Sequence, residues 1–129
     1  MMRMIIGGAY QGKLEYAKSL YPDLLWIDGE KCTEEEVFRC GGIYHFHTWI
    51  RKMMEQKREL RFLIERVKKE NPNLVIVTDE IGYGLVPVDD FERRYREEVG
   101  RICTDFAAFS ERVDRVVSGI AVPIKGGDK

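Results

Sequence analysis

The stretch RMIIGGAYQGKLEYAKSLY, residues 3–21, constrains the fold more than any other. It reads as a short apolar strand, a glycine-rich turn and an amphipathic helix with Leu14, Tyr16, Ala17 and Leu20 on one side. Gly7, Gly12 and Lys13 stand at the spacing G-x-x-x-x-G-K, between strand and helix, where a phosphate-binding loop belongs. Glycines there let backbone N–H groups turn toward an anion, and the helix N-terminus adds partial positive charge. Gly7, Gly8, Ala9, Tyr10, Gln11, Gly12 and Lys13 are the expected phosphate cradle, with Lys13 reaching the outer phosphates. The next position usually carries Ser or Thr as a Mg²⁺ ligand, and here it is Leu14. The competing reading is an ordinary glycine-rich turn with an accidental lysine.

The rest of the chain keeps alternating strand and helix. LLWID is a second apolar run, and Thr33 and Glu36 have capping-box spacing in TEEEVF. GIYHFH alternates and is rich in β-formers, so a third strand is expected there. One long helix is expected from Trp49 to Glu70, with Ile50, Met53, Met54, Leu60, Leu63, Ile64 and Val67 on one face. LVIVT reads as a strand buried on both faces. Pro87 and Asp89 announce another helix, striped by Phe91, Tyr95, Val99, Ile102, Phe106 and Val113. RVVSGIAVPI closes the chain as one strand or two. This order predicts an α/β fold: one mostly parallel P-loop-type sheet with helices on both faces. It forms a single nucleotide-binding domain over residues 1–125, with 126–129 as a loose tail. Such sheets bind ligands beyond the carboxyl ends of their strands, which narrows the search for a site.

Composition excludes some classes of partner. Lys plus Arg number 21 and Asp plus Glu 22, a balance that calls for neither nucleic acid nor an anionic membrane. No apolar run approaches the roughly 18 residues of a membrane span. The three cysteines form no C-x-x-C pair and read as free thiols of a reducing cytoplasm.

Several residues could carry chemistry. Asp79 and Glu80 end LVIVTDE, where carboxylates can hold Mg²⁺ or its waters beside a phosphate loop. A solvated strand terminus is the plainer alternative. Gly82 and Gly84 permit tight turns near a ligand. On the expected third strand His45 and His47 share one face, and His47 reaches the ligand edge. His45 reads as structural; for His47 a functional and a structural role weigh evenly. No Cys, His or Asp nearby completes a metal site with them. Arg93, Arg94, Arg96 and Arg101 interleave with Glu92, Glu97 and Glu98, which usually means a salt-bridged solvent face. Gly100 within that helix costs about 1 kcal/mol relative to Ala, which suggests another backbone packed there, such as a subunit.

VTDEIGYGLVPVDDFERRYREEVGR (77–101) followed by VVSGIAVPIK (116–125) resembles the adenosylcobinamide kinase / adenosylcobinamide-phosphate guanylyltransferase family. The family signature runs V-T-N-E-V-G-x-G-I-V-P, then R-x-F-R-D-x-x-G-R, then a V-x-G closing strand. Glu80, Gly82, Gly84, Val86, Pro87, Arg93, Arg96, Gly100 and Arg101 match it, as does the amino-terminal G-G-x-x-x-G-K loop. The chain departs from the family at Leu14, at Asp79 in place of Asn, and at Cys103 and Thr104 in place of Asn-Gln. It also has no R-x-x-x-H-x-x-x-R-P stretch, which in the family contains the guanylylated histidine.

The resemblance implies a cytoplasmic, oligomeric enzyme of cobalamin assembly that uses ATP or GTP on a corrinoid substrate. Kinase activity is expected, with Lys13 stabilising the transferring phosphoryl group and Asp79 or Glu80 holding Mg²⁺ waters or acting as base. His47 joins them as a catalytic candidate. Gly82, Gly84, Pro87, Arg93, Arg96 and Arg101 are expected to contact substrate or a second subunit. Guanylyl transfer is not expected without the histidine stretch. The alternative is a catalytically retired phosphate-binding or regulatory module of the same fold.

Overall fold

The computed structural model describes residues 1–81 and 89–126. The expected contacts at Gly82, Gly84 and Pro87, and the end of the tail from residue 127, lie outside the described residues. The elements in order are β1 (Arg3–Gly7), α1 (Lys13–Leu20), β2 (Trp26–Asp28), a 3₁₀ turn (Glu35–Phe38) and β3 (Gly42–Tyr44). Then come α2 (Phe46–Glu55), α3 (Leu60–Glu70), β4 (Val75–Asp79), α4 (Asp90–Phe109), β5 (Arg112–Val117) and β6 (Ile120–Lys125). The six strands form one sheet in the order β2-β3-β4-β1-β5-β6. All neighbours pair in parallel except β5 and β6, which form an antiparallel hairpin. This is the predicted α/β architecture, with β1 at the centre and its glycine loop at the ligand edge.

Side-chain alternation along the central strands splits the core in two. Met4 of β1 and Ile76 of β4 point into a large cluster with Phe46, Trp49, Leu63, Val99 and Phe106 from α2, α3 and α4. Ile5, Val75 and Val77 point the other way and meet Ala17 of α1 and Val116 of β5. Both faces of β1 and β4 are therefore dry, as their unbroken apolar runs require.

Three expectations fail locally. The third strand stops at Tyr44, because His45 takes a left-handed backbone conformation (φ 54°) and becomes the N-cap of α2. His47 is thus helical, and the two histidines do not share a strand face. The single helix over Trp49–Glu70 is two helices with the same apolar stripe. An unbroken helix from Phe46 to Glu70 would run about 37 Å, far beyond what a crossover between two short neighbouring strands can use. The break is a Schellman cap: Arg58 N–H donates to Met53 O and Lys57 N–H to Met54 O, both at 2.9 Å, with Lys57 left-handed at φ 56°. Val113 belongs to β5 rather than to the stripe of α4, because Ser110 ends that helix in an extended conformation.

Other expectations hold. Thr33 and Glu36 exchange the two capping-box bonds, at 2.8 and 3.3 Å, although they cap a single 3₁₀ turn. The closing segment is two strands, turned by Ser118 and Gly119, both with positive φ. A side chain at Gly100 would meet nothing within 4 Å, so no described segment of this chain packs against it.

Candidate nucleotide-phosphate site

Parallel pairing brings four strand ends to one edge of the sheet. Gly7 at the end of β1 pairs with Asp79 at the end of β4, and Asp28 of β2 pairs with Tyr44 of β3. A cavity of about 290 Å³ opens there, lined by residues 9–15, Tyr44, His45, Val77 and Asp79. Ala9, Tyr10, Gln11, Gly12 and Lys13, all expected in the phosphate cradle, form one wall.

The loop is built from close backbone approaches. A Cβ at Gly7 would lie 2.5 Å from Val116 O, which leaves room only for glycine. Gly12 caps α1 in the left-handed region (φ 85°), where glycine carries no steric penalty. The loop is also tied to the β5–β6 turn. Gly119 N–H donates to Gln11 O at 2.9 Å, and Ser118 N–H to the Gln11 side chain at 2.5 Å. Lys13 folds back under the loop and is only 7% exposed. Its ammonium donates to Gly8 O and pairs with Asp79, both at 2.7 Å. Leu14 lines the cavity with its isobutyl group where a hydroxyl would have stood.

The acidic and imidazole groups divide into two sets. Asp79 faces Lys13 with one carboxylate oxygen, and the other lies 3.5 Å from His47 Nε2. His47 Nδ1 accepts the Asp79 backbone N–H at 3.2 Å. That bond requires Nδ1 to be unprotonated. Burial lowers the pKa of His47, against the opposing pull of Asp79. His47 is therefore a neutral strut behind Asp79. Glu80 turns aside to Arg115 at 2.7 Å, while its N–H donates to Gly7 O.

The second set was not foreseen. Asp28 Oδ1 accepts the Glu30 N–H at 2.9 Å and lies 2.9 Å from His45 Nδ1. Burial pushes the Asp28 carboxyl up, but the Glu30 N–H and His45 outweigh it and hold the group below its ordinary range. Gly29 makes the pairing possible, since a Cβ there would sit 2.3 Å from His45 O. Asp28, Glu30 and His45 bring their ligand atoms within 4.8 Å of one another, with Asp28 Oδ1 and His45 Nδ1 already paired to each other. The only hint in the sequence was an Asp-Gly pair at the end of an apolar run.

On α4, Arg93 pairs with Asp90 and Arg101 with Glu98, the surface pattern expected of interleaved charges. Arg94 lies over the Phe91 ring at 6.0 Å. Arg96 is half-buried on the same helix. None of these four lines the cavity at the glycine loop.

A central parallel strand, a glycine loop fastened at both ends and a buried lysine opening the next helix define a P-loop-type α/β domain. The chain belongs to the cobinamide kinase / cobinamide phosphate guanyltransferase family, whose model matches residues 33–124. The glycine loop precedes that span, so its assignment rests on its own residues and geometry. Relatives include the bifunctional adenosylcobalamin biosynthesis protein CobU of Escherichia coli, 36% identical over 91 residues, and that of Salmonella typhimurium, 35% identical over 91 residues. Each match covers 69% of this chain and 50% of the relative. The protein CobP of Pseudomonas aeruginosa is 29% identical over 100 residues, which cover 73% of this chain and 58% of that protein. The chain thus matches about half the length of these relatives.

Proposed function

We propose that this chain is an adenosylcobinamide kinase-like nucleotide-binding protein of cobalamin assembly, cytoplasmic and oligomeric. It would transfer a phosphoryl group from ATP or GTP to a corrinoid hydroxyl. The observation that carries this reading is Lys13, buried beneath a correctly built glycine loop at the mouth of a cavity. The loop N–H groups would hold the triphosphate, and Lys13 would exchange its bonds to Gly8 O and Asp79 for bonds to phosphate. The residues present suit Mg²⁺ held through its waters. Asp79 lines the cavity, Glu80 beside it is turned to Arg115 away from the lining, and Leu14 supplies no direct ligand. The metal would neutralise charge developing on the transferred phosphoryl group. An exposed apolar row on edge strand β6 (Ile120, Val122 and Ile124) supports the oligomeric part of the reading.

Two observations favour a second reading, a retired phosphate-binding module. The loop lacks its metal-ligating hydroxyl, and Lys13 is already neutralised by Asp79. Calorimetry with ATP and GTP, in Mg²⁺ and in EDTA, tests both readings. Lys13→Ala is expected to weaken triphosphate binding by about 1.5–3 kcal/mol, the scale of a charged hydrogen bond. Leu14→Ser is expected to strengthen binding by about 1 kcal/mol in Mg²⁺ alone. Absence of nucleotide binding in all three proteins defeats the kinase reading.

A further inference from the structure

His45 stands out because it is the one imidazole lining the cavity among the described residues, yet neither its fold position nor its backbone conformation is an ordinary one. It adopts φ 54° at the N-cap of α2 without capping that helix through its side chain. Its Nδ1 is committed to Asp28, which does not line the cavity, while the ring itself does. The carboxylate thus lies behind the ring and the glycine loop in front of it. Asp28 is held ionised, and a carboxylate can only accept. The Nδ1 must then carry the proton, which leaves the Nε2 lone pair for the cavity. The charged and titratable groups around the ring are Asp28, Glu30 and Lys31 on the β2 side, Tyr44 on β3 at 4.9 Å and His47 on α2 at 6.1 Å between ring centroids, and Tyr10, Lys13, Glu15 and Asp79 around the cavity.

We infer that the Asp28–His45 pair is the proton acceptor of the site, receiving the proton of the hydroxyl that attacks the terminal phosphoryl group. The inference rests on the phosphoryl-transfer reading above. The hydroxyl oxygen forms a bond to phosphorus as its proton passes to His45 Nε2. The bond from phosphorus to the bridging oxygen breaks, and its electron pair stays on the departing nucleoside diphosphate, beside Lys13. The resulting imidazolium is paired with the Asp28 carboxylate, which stabilises it where it forms. A later proton release to water restores the pair.

The tautomer is tested first, on the unaltered protein. Nitrogen-15 NMR of neutral His45 is expected to show the proton on Nδ1, and a proton on Nε2 overturns the inference. The second arm compares wild type, His45→Gln and Asp28→Asn for triphosphate affinity and for phosphorylation of cobinamide across pH 5–9. His45→Gln is expected to lower kcat about 10²–10⁴-fold, to leave triphosphate affinity within about twofold, and to abolish the acidic limb of the rate profile. Asp28→Asn is expected to lower kcat less and to move that limb to lower pH. An unchanged kcat in His45→Gln, or a loss mirrored in affinity, overturns the inference while the kinase reading stands. Wild type that fails to bind triphosphate, or binds it without turnover at any pH, defeats the kinase reading and this inference with it.

Discussion

Lys13 and Asp79 form the most consequential contact in the candidate site, because a phosphate bound at this loop would compete with a carboxylate for the same ammonium. The ion pair is largely out of solvent, with side chains 8% and 23% exposed, so water screens it weakly. Replacing the carboxylate with a neutral amide leaves Lys13 its bond to Gly8 O and frees its charge for the ligand. Asp79→Asn is therefore expected to tighten triphosphate binding in EDTA by about 1 kcal/mol, roughly fivefold. In Mg²⁺ the gain should shrink or reverse, since the same carboxylate would hold the metal's waters. Titration of both proteins under both conditions checks this. Equal affinity in EDTA would mean that phosphate never displaces Asp79. At this scale much of the candidate site was legible: spacing marked the loop and Lys13, and the end of an apolar run marked Asp79. The Asp28–His45 pair was not, because it joins residues 17 apart through a backbone approach that only Gly29 allows.

The helices show where local sequence is overruled. The apolar stripe from Ile50 to Val67 was read correctly, and every member except half-buried Met54 is buried. The continuity was not, because Gln56-Lys57-Arg58 contains neither Gly nor Pro to announce a stop. The Schellman cap places a lysine where glycine is favoured, and a left-handed non-glycine residue costs about 1–2 kcal/mol. Lys57→Gly is expected to relieve part of this. Some of the gain is offset by the greater freedom of glycine in the unfolded chain. Urea denaturation should show a net stabilisation of about 0.5–1 kcal/mol. A loss of stability would show that the Lys57 stem contributes more packing than its backbone costs.

At the scale of the whole molecule, one edge strand of the sheet exposes apolar side chains among the described residues. β6 ends the sheet opposite β2, and Ile120, Val122 and Ile124 are 68%, 50% and 56% exposed. Ile120 and Val122 share a strand face, and Ile124 continues this apolar row at the β-bulge between the Val113–Lys125 and Asp114–Pro123 pairs, on the outer edge of the described sheet. Pro123 cannot donate a hydrogen bond to a further strand, which limits how a second chain could pair along it. If the row is a subunit contact, Ile120→Lys with Ile124→Lys should lower the mass measured by light scattering to that of one chain and leave the melting temperature of the separated chain little changed. A wild-type chain already monomeric at micromolar concentration removes β6 from the oligomer reading.

What the sequence determined by itself was whatever depends on neighbours along the chain. The order of strands and helices, the two-sided burial of VIVT, the capping box and the glycine loop each follow from local periodicity or spacing. Tertiary structure decided what depends on where the chain is allowed to go. The crossover from β3 to β4 had to fit between adjacent strands, so one apolar stripe became two helices and GIYHFH yielded its last three residues to a helix start. That same turn rotated His45 out of the strand and set it against Asp28, beside the glycine loop. Its side chain faces the cavity because of a backbone reversal, and hydrophobic periodicity carries no signal for a single residue in the left-handed region.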